Sequence, residues 1–163
     1  MALEGSMERL EIIEALEQFP KILEAEVAGL TDAMLRYRPA EGEWSINEVT
    51  GHLRDVAENW YKRFYMVWSQ TDPLFVSFDG EALARERAYQ DARPEVFLAE
   101  MKEHTIKTVE LLAHAVDWTR LGMQPGVGRR TLKQFAASLV AHEQEHLSQI
   151  RTLKSAQETG IPA

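Results

Sequence analysis

TLKQFAASLVAHEQEHLSQIRTL, residues 131–153, reads as one long amphipathic helix. Thr131 and Gln134 stand as the two ends of a capping box: the hydroxyl accepts from the amide three residues on, and the amide side chain reaches back. Phe135, Leu139, His142, His146, Ile150 and Leu153 then fall on one face at steps of three and four. Two imidazoles four apart lie one turn above the other and can share one metal ion.

Working outward, Ser45-Ile46-Asn47-Glu48 is a second capping box, with Trp44 placed to staple onto Val49. Ile46, Val49, Leu53, Val56, Trp60, Phe64 and Val67 continue as an apolar stripe to about Ser69, and His52 borders it. A further helix spans residues 7 to about 29, through Leu10, Ile13, Leu16, Ile22, Leu23 and Val27, with a kink or break expected at Pro20. Thr31–Trp44 reads as a long connection holding Pro39 and Gly42. Thr71-Asp72-Pro73 ends the second long helix, Phe75–Phe78 is irregular, and Glu81–Tyr89 suggests a short helical insertion. Pro94 opens a third long helix from a first-turn position, with Phe97, Met101, Ile106, Val109, Leu112 and Val116 as its stripe. Asp117–Arg130, with Gly122, Pro125, Gly126 and Gly128, reads as a loop. The expected fold is all-α: a four-helix bundle with a short helical or irregular insertion between its second and third long helices. Residues 7–156 form the expected single domain, with 1–6 as a cloning remnant and 157–163 as a flexible tail.

Composition narrows the functions available. With 45% hydrophobic and 27% charged residues the chain reads as globular, and its apolar runs are too short to cross a membrane. A net charge of −8 opposes nucleic-acid binding. The nearest basic clusters, Arg85 with Arg87 and Arg129 with Arg130 and Lys133, are short. Met1–Gln18 is acidic and amphipathic, unlike a signal peptide, so a cytoplasmic location is expected. Cysteine is absent. A transition-metal site therefore has to use imidazole nitrogen with carboxylate or water oxygen.

His142–His146 also spells the H-E-x-x-H of zinc proteases, in which Glu143 would be the general base. The extended protease motif needs glycine at 149 and histidine at 152, where this chain has Gln149 and Thr152. A di-iron bundle would need a second Glu-x-x-His beside Glu143–His146, and none is found. The third ligand is instead sought upstream, at His52, giving three inward imidazoles from two helices. Three protein ligands leave positions open for water or substrate, which is coordination of the catalytic kind. Asp55 and Glu145 are weak candidates for a supporting or proton-accepting role near these histidines. His104 and His114 read as ordinary histidines. Trp44, Trp60 and Trp68 read as core or staple residues; Trp118 is the best candidate for an exposed aromatic, with core packing still the first expectation for it.

Pro39-x4-Trp44-Ser45-Ile46-x5-His52-Leu53, followed by His142-x3-His146-Leu147-x-Gln149-Ile150, resembles the DinB-like superfamily with its YfiT-type members. The resemblance covers nearly the whole chain from Met7. It implies a four-helix bundle, often a homodimer, with one divalent metal held by His52, His142 and His146; zinc or nickel are the first expectations, with iron also compatible. It further implies similarity to transferases that use low-molecular-weight thiols such as bacillithiol or mycothiol, and a regulatory link to stress. The expected function is thus a metal-dependent thiol S-transferase or a metal-assisted hydrolase with a small-molecule substrate. The competing expectation is a non-catalytic, stress-induced bundle whose metal is structural or sensory.

Overall fold

The capping signals and apolar stripes become helices where the sequence places them. The computed structural model describes residues 7–158. Its elements in order are α1 (Arg9–Val27), α2 (Asp32–Arg36), α3 (Ile46–Ser69), α4 (Gly80–Glu86), a 3-10 turn (Tyr89–Asp91), α5 (Pro94–His114), β1 (Leu121–Gln124), β2 (Gly128–Thr131) and α6 (Leu132–Glu158). The long helices α1, α3, α5 and α6 form the bundle. α3 packs on α5 and α6, and α1 closes the ring against the same two. Residues 1–6, expected as a cloning remnant, lie outside the described residues, as do residues 159–163 of the expected tail. α6 itself continues to Glu158, two residues past the expected domain end. No helix among the described residues is long and apolar enough to cross a membrane.

The two best-signalled helix starts form as the chemistry requires. Ser45 Oγ accepts from the Glu48 amide at 3.2 Å, while the Glu48 carboxylate turns to Ser45 Oγ and to Arg38. At α6 the box is complete: Thr131 Oγ1 accepts from the Gln134 amide at 3.1 Å, and Gln134 Oε1 accepts from the Thr131 amide at 2.9 Å. Each such cap is worth about 1 kcal/mol.

The core divides into two apolar clusters. One joins Ile12 and Leu16 to Trp60, Phe64, Leu112 and Phe135; the other joins Phe19 and Leu23 to Ile46, Leu53, Met101, Leu147 and Ile150. On α6 the first cluster reaches Val140 and the second resumes at Leu147. His142 and His146 occupy the interval, at the junction of the two clusters.

Four expectations require correction. α1 runs through Pro20 without the local break, and the Pro20 ring is buried on the packed face between Leu16 and Leu23; burial on both sides holds the helix across the lost hydrogen bond. The 31–44 connection contains α2, capped by Thr31. Trp68 is 49% exposed, because it follows Val67 by one residue and so lies about 100° off the buried stripe. The expected 117–130 loop instead contains a β-hairpin, β1 pairing antiparallel with β2 from Leu121–Thr131 to Gln124–Gly128. Segment 73–75 docks on it through Phe75 N–H to Met123 O and Met123 N–H to Pro73 O, both 2.8 Å. Trp118 is packed in the core, the first expectation for it: it is 2% exposed and donates its indole N–H to Leu112 O.

The insertion between α3 and α5 is fixed to α3 at Asp55 and Gly51. Tyr89 and Arg87 both donate to Asp55 Oδ1, at 2.7 and 2.6 Å. A Cβ on Gly51 would stand 2.3 Å from the Tyr89 ring. Gly51→Ala would gain up to about 1 kcal/mol of helix propensity, but overpacking costs about 1–3 kcal/mol and this contact is severe. Urea unfolding should show a net loss of about 1–2 kcal/mol; a stabilised variant would show that Tyr89 moves freely.

Candidate metal centre

α3 and α6 each present a polar break in an otherwise apolar stripe, and the breaks face one another. His52 is 7% exposed and His142 and His146 are half-buried. Their ring centroids are 4.5 Å apart for His142–His146, 4.8 Å for His52–His146 and 5.6 Å for His52–His142. One nitrogen from each ring lies within 4.8 Å of the others. His52 Nε2 and His142 Nε2 stand 3.4 Å apart. Nitrogens held tetrahedrally at about 2.1 Å from one ion are separated by roughly 3.4 Å; the His52–His142 pair has that spacing, and His146 completes a set of imidazole donors of the kind a transition metal takes once its ring closes in from within 4.8 Å.

The surroundings support that use of the nitrogens. Donation from His146 Nδ1 to Gln149 Oε1 at 2.8 Å leaves Nε2 with its lone pair free. Burial, followed by the proximity of His146 and His142, lowers the His52 pKa to about 3. Burial likewise lowers His142, with a further push from His146 and opposition from Glu145. Both rings are therefore neutral near pH 7, as ligands must be. A hydrogen bond between two neutral imidazoles satisfies one nitrogen pair, whereas one cation satisfies a nitrogen of all three rings.

The rings form part of the wall of a cavity of about 800 Å³. Trp44 packs on His52 at 4.9 Å and stacks over His146 at 6.5 Å, and Phe78 lies 6.4 Å from His52. The hairpin supplies another wall through Gln124, Pro125, Val127 and Arg130. Gly80 closes over His52 so tightly that a Cβ there would meet the ring at 2.6 Å.

The other sequence candidates lie elsewhere. Asp55 is buried beneath Arg54, Arg87 and Tyr89, its Oδ1 accepting from all three, and does not line the cavity. Glu145 is exposed. Glu143 is buried, its carboxyl pushed well up by that burial, and it is absent from both the cavity lining and the histidine cluster. His104 is half-buried and His114 exposed, and neither joins the cluster. The sequence reading missed Trp44, Trp60, Arg63 and Arg130 as cavity residues. The available signal was the α3 stripe itself, since His52, Val56, Trp60 and Arg63 follow at steps of four, four and three.

The sequence pattern of the DinB superfamily matches residues 15–150; the chain belongs to that superfamily. Among curated relatives, a Bacillus licheniformis protein named "Putative metal-dependent hydrolase" is 28% identical over 139 residues, covering 83% of this chain and 79% of its own. The Bacillus subtilis protein named "Putative metal-dependent hydrolase YfiT" is 27% identical over 144 residues, covering 86% of this chain and 81% of its own. The solved structure of Bacillus subtilis YfiT, described as a probable metal-dependent hydrolase with an unusual four-helix bundle topology, superposes with a TM-score of 0.87 at 25% identity. That match covers 94% of this chain and 91% of the YfiT chain.

Gly80→Ala should displace the His52 ring. Affinity for added zinc, read by competition with a chromophoric chelator, should fall tenfold or more. Lys102→Ala, exposed on α5 and outside this cavity, should leave it within threefold. Equal affinities for the two variants and the wild type would show that His52 is not held by this contact.

Proposed function

We propose that His52, His142 and His146 hold one divalent transition-metal ion, zinc or nickel ahead of iron, and that the protein is a metal-dependent enzyme acting on a small molecule in the adjoining cavity. The observation that supports this reading is a three-imidazole cluster open to about 800 Å³ of space. Structural ions are usually enclosed by four protein ligands, whereas three leave a place for a reactant. The cluster contains three ligand residues among the described residues. This argues against the competing reading of a non-catalytic, stress-induced bundle with a structural or sensory ion.

When bound, the ion would supply Lewis acidity and lower the pKa of a coordinated water or thiol. The chain does the rest. Gln149 fixes the His146 tautomer. Gly80 and Trp44 hold the His52 ring from two sides. The indoles of Trp44 and Trp60 give the cavity apolar walls that keep bulk water from the reacting atoms.

Metal-assisted hydrolysis is the reaction that the relatives' names bring to this chain. Thiol S-transfer is the second reading. The chain has no cysteine, so a thiolate would have to come from a low-molecular-weight cosubstrate, and the cavity is in the upper part of the usual range for small-molecule sites, with room for thiol and electrophile together. Residues 7–156 are taken as the single catalytic domain and a cytoplasmic homodimer as the working state. Tyr65 and Trp68, both about half exposed on α3, support a covered helix face in that assembly.

Elemental analysis of protein purified without added metal or a nickel column should find about one divalent ion per chain, and none in His146→Ala. Unchanged metal content in that variant would refute the site. Hydrolysis of activated esters, and coupling of a thiol panel to a generic electrophile, should each be compared between wild type and His52→Ala. The active reaction should drop at least 100-fold; equal rates would refute a catalytic metal.

A further inference from the structure

The cavity has two chemically different ends. His52, Val56, Trp60 and Arg63 all line it from one face of α3. Ser138, His142 and His146 line it at steps of four from α6. Near the start of α3 the facing pair is His52 with His142. Further along, Trp60 meets Phe135 at 5.5 Å, and Arg130 Nη1 donates to Ser138 Oγ at 3.4 Å. Arg63 is eleven residues beyond His52, about 16 Å along the helix axis. Helical side chains lean toward the N-terminus, so its guanidinium ends on the order of 10 Å from the imidazoles.

Arg63 is 5% exposed, and arginine is rarely so buried unless it is paired. One Nη2 bond, to Val76 O at 2.9 Å, holds it, and its Nε is buried without a partner. The charge lies over the rings of Trp60 and Phe75, at 4.9 and 5.1 Å. Burial lowers its pKa, but a guanidinium remains charged. Arg38, Arg54, Arg87 and Arg129 each meet a carboxylate; among the described residues no carboxylate is within ion-pair distance of Arg63 or Arg130. The cavity's own carboxylates, Asp79 and Glu81, flank Gly80, which abuts His52. Negative charge therefore gathers beside the imidazoles, while positive charge begins one helical turn away, at Arg130 on Ser138, and continues to Arg63 further along α3.

We propose that Arg63 and Arg130 bind an anionic group of the substrate, a carboxylate, phosphate or sulfonate, at the end of the cavity away from the three histidines. The substrate is thus an anion whose charge is separated from its reacting centre by a spacer long enough to cross between the two ends. Guanidinium forks suit such oxyanions. The low local dielectric beside Arg63 makes the contact strong once the anion enters. This inference rests on the cavity being the substrate site of the proposed enzyme, but it places the anion on arginine and not on the metal.

The test is calorimetric titration of the protein as purified with benzoate, phenylphosphonate and benzenesulfonate, against neutral benzamide. At least one anion should bind tenfold or more tightly than benzamide, and the tightest of the three identifies the class. Arg130→Ala and Arg63→Gln should each weaken that anion at least tenfold, with Arg63→Lys retaining part of the affinity. Arg130 is half-exposed, so its variant carries the test if an Arg63 variant does not fold. Anion preference should persist in His146→Ala. The proposal is overturned if no anion outcompetes benzamide, if preference survives Arg130→Ala, or if it vanishes in His146→Ala. That last result would put the anion on the ion and leave the metal reading standing. An arginine-dependent preference in a protein that holds no metal would instead keep the anion site and refute the metal reading.

Discussion

Three imidazoles crowded between two apolar cores are the constraint that organises this molecule. Each ring brings nitrogen atoms that burial strips of water, and an unsatisfied buried polar group costs about 1–3 kcal/mol. Apolar residues at positions 52, 142 and 146 would have let the two clusters fuse into one core. The polar junction is instead maintained by specific neighbours: Gln149 for His146, Trp44 for His52 and His146, and Gly80 over His52. Those neighbours come from α6, from the residue before the α3 cap, and from the start of α4. The insertion and the cap thus hold the histidines as well as connecting helices.

This dependence explains which features were readable in advance. Capping boxes and helical stripes are local, so the starts of α3 and α6 could be read from four residues each and their buried faces from spacing. The three histidines were readable because two share a helix face and the third borders another stripe with a clear cap signal. The hairpin was not. Leu121-Gly122-Met123-Gln124 and Gly128-Arg129-Arg130-Thr131 lack β-branched alternation, and their pairing is stabilised by packing on α3 and by the docked segment 73–75. Trp68 shows the same limit in reverse: its residue type suggests core, while its angular position one residue past Val67 puts it in solvent.

Arg63 was the informative residue that went unread. A cation on the stripe of His52, Val56 and Trp60 breaks the amphipathic pattern at a position that the helix period fixes as inward. Such a break calls for a partner, and the only candidates visible in sequence were carboxylates. Arg54 does find them, in Glu58 and Glu100. Arg63 finds a carbonyl and two aromatic faces. The difference is invisible without the fold, because Val76 and Phe75 come from the segment that the hairpin positions.

Placing the imidazoles and Arg63 on two packed helices has a physical consequence for how a ligand would sit. α3 and α6 are rigid elements, each capped at its start, and sites on helices hold geometry better than sites on loops. The imidazole cluster and Arg63 therefore keep a nearly fixed separation, set by eleven residues of helix. The hairpin contributes Arg130 and the wall residues near it, and its other positions can vary in sequence without changing the helix-set distance. One face of the bundle thus sets the distance between reacting centre and charge, while the hairpin and the insertion shape what fits between them. Changes in substrate size are expected to map to those two segments, and changes in charge to positions 63 and 130.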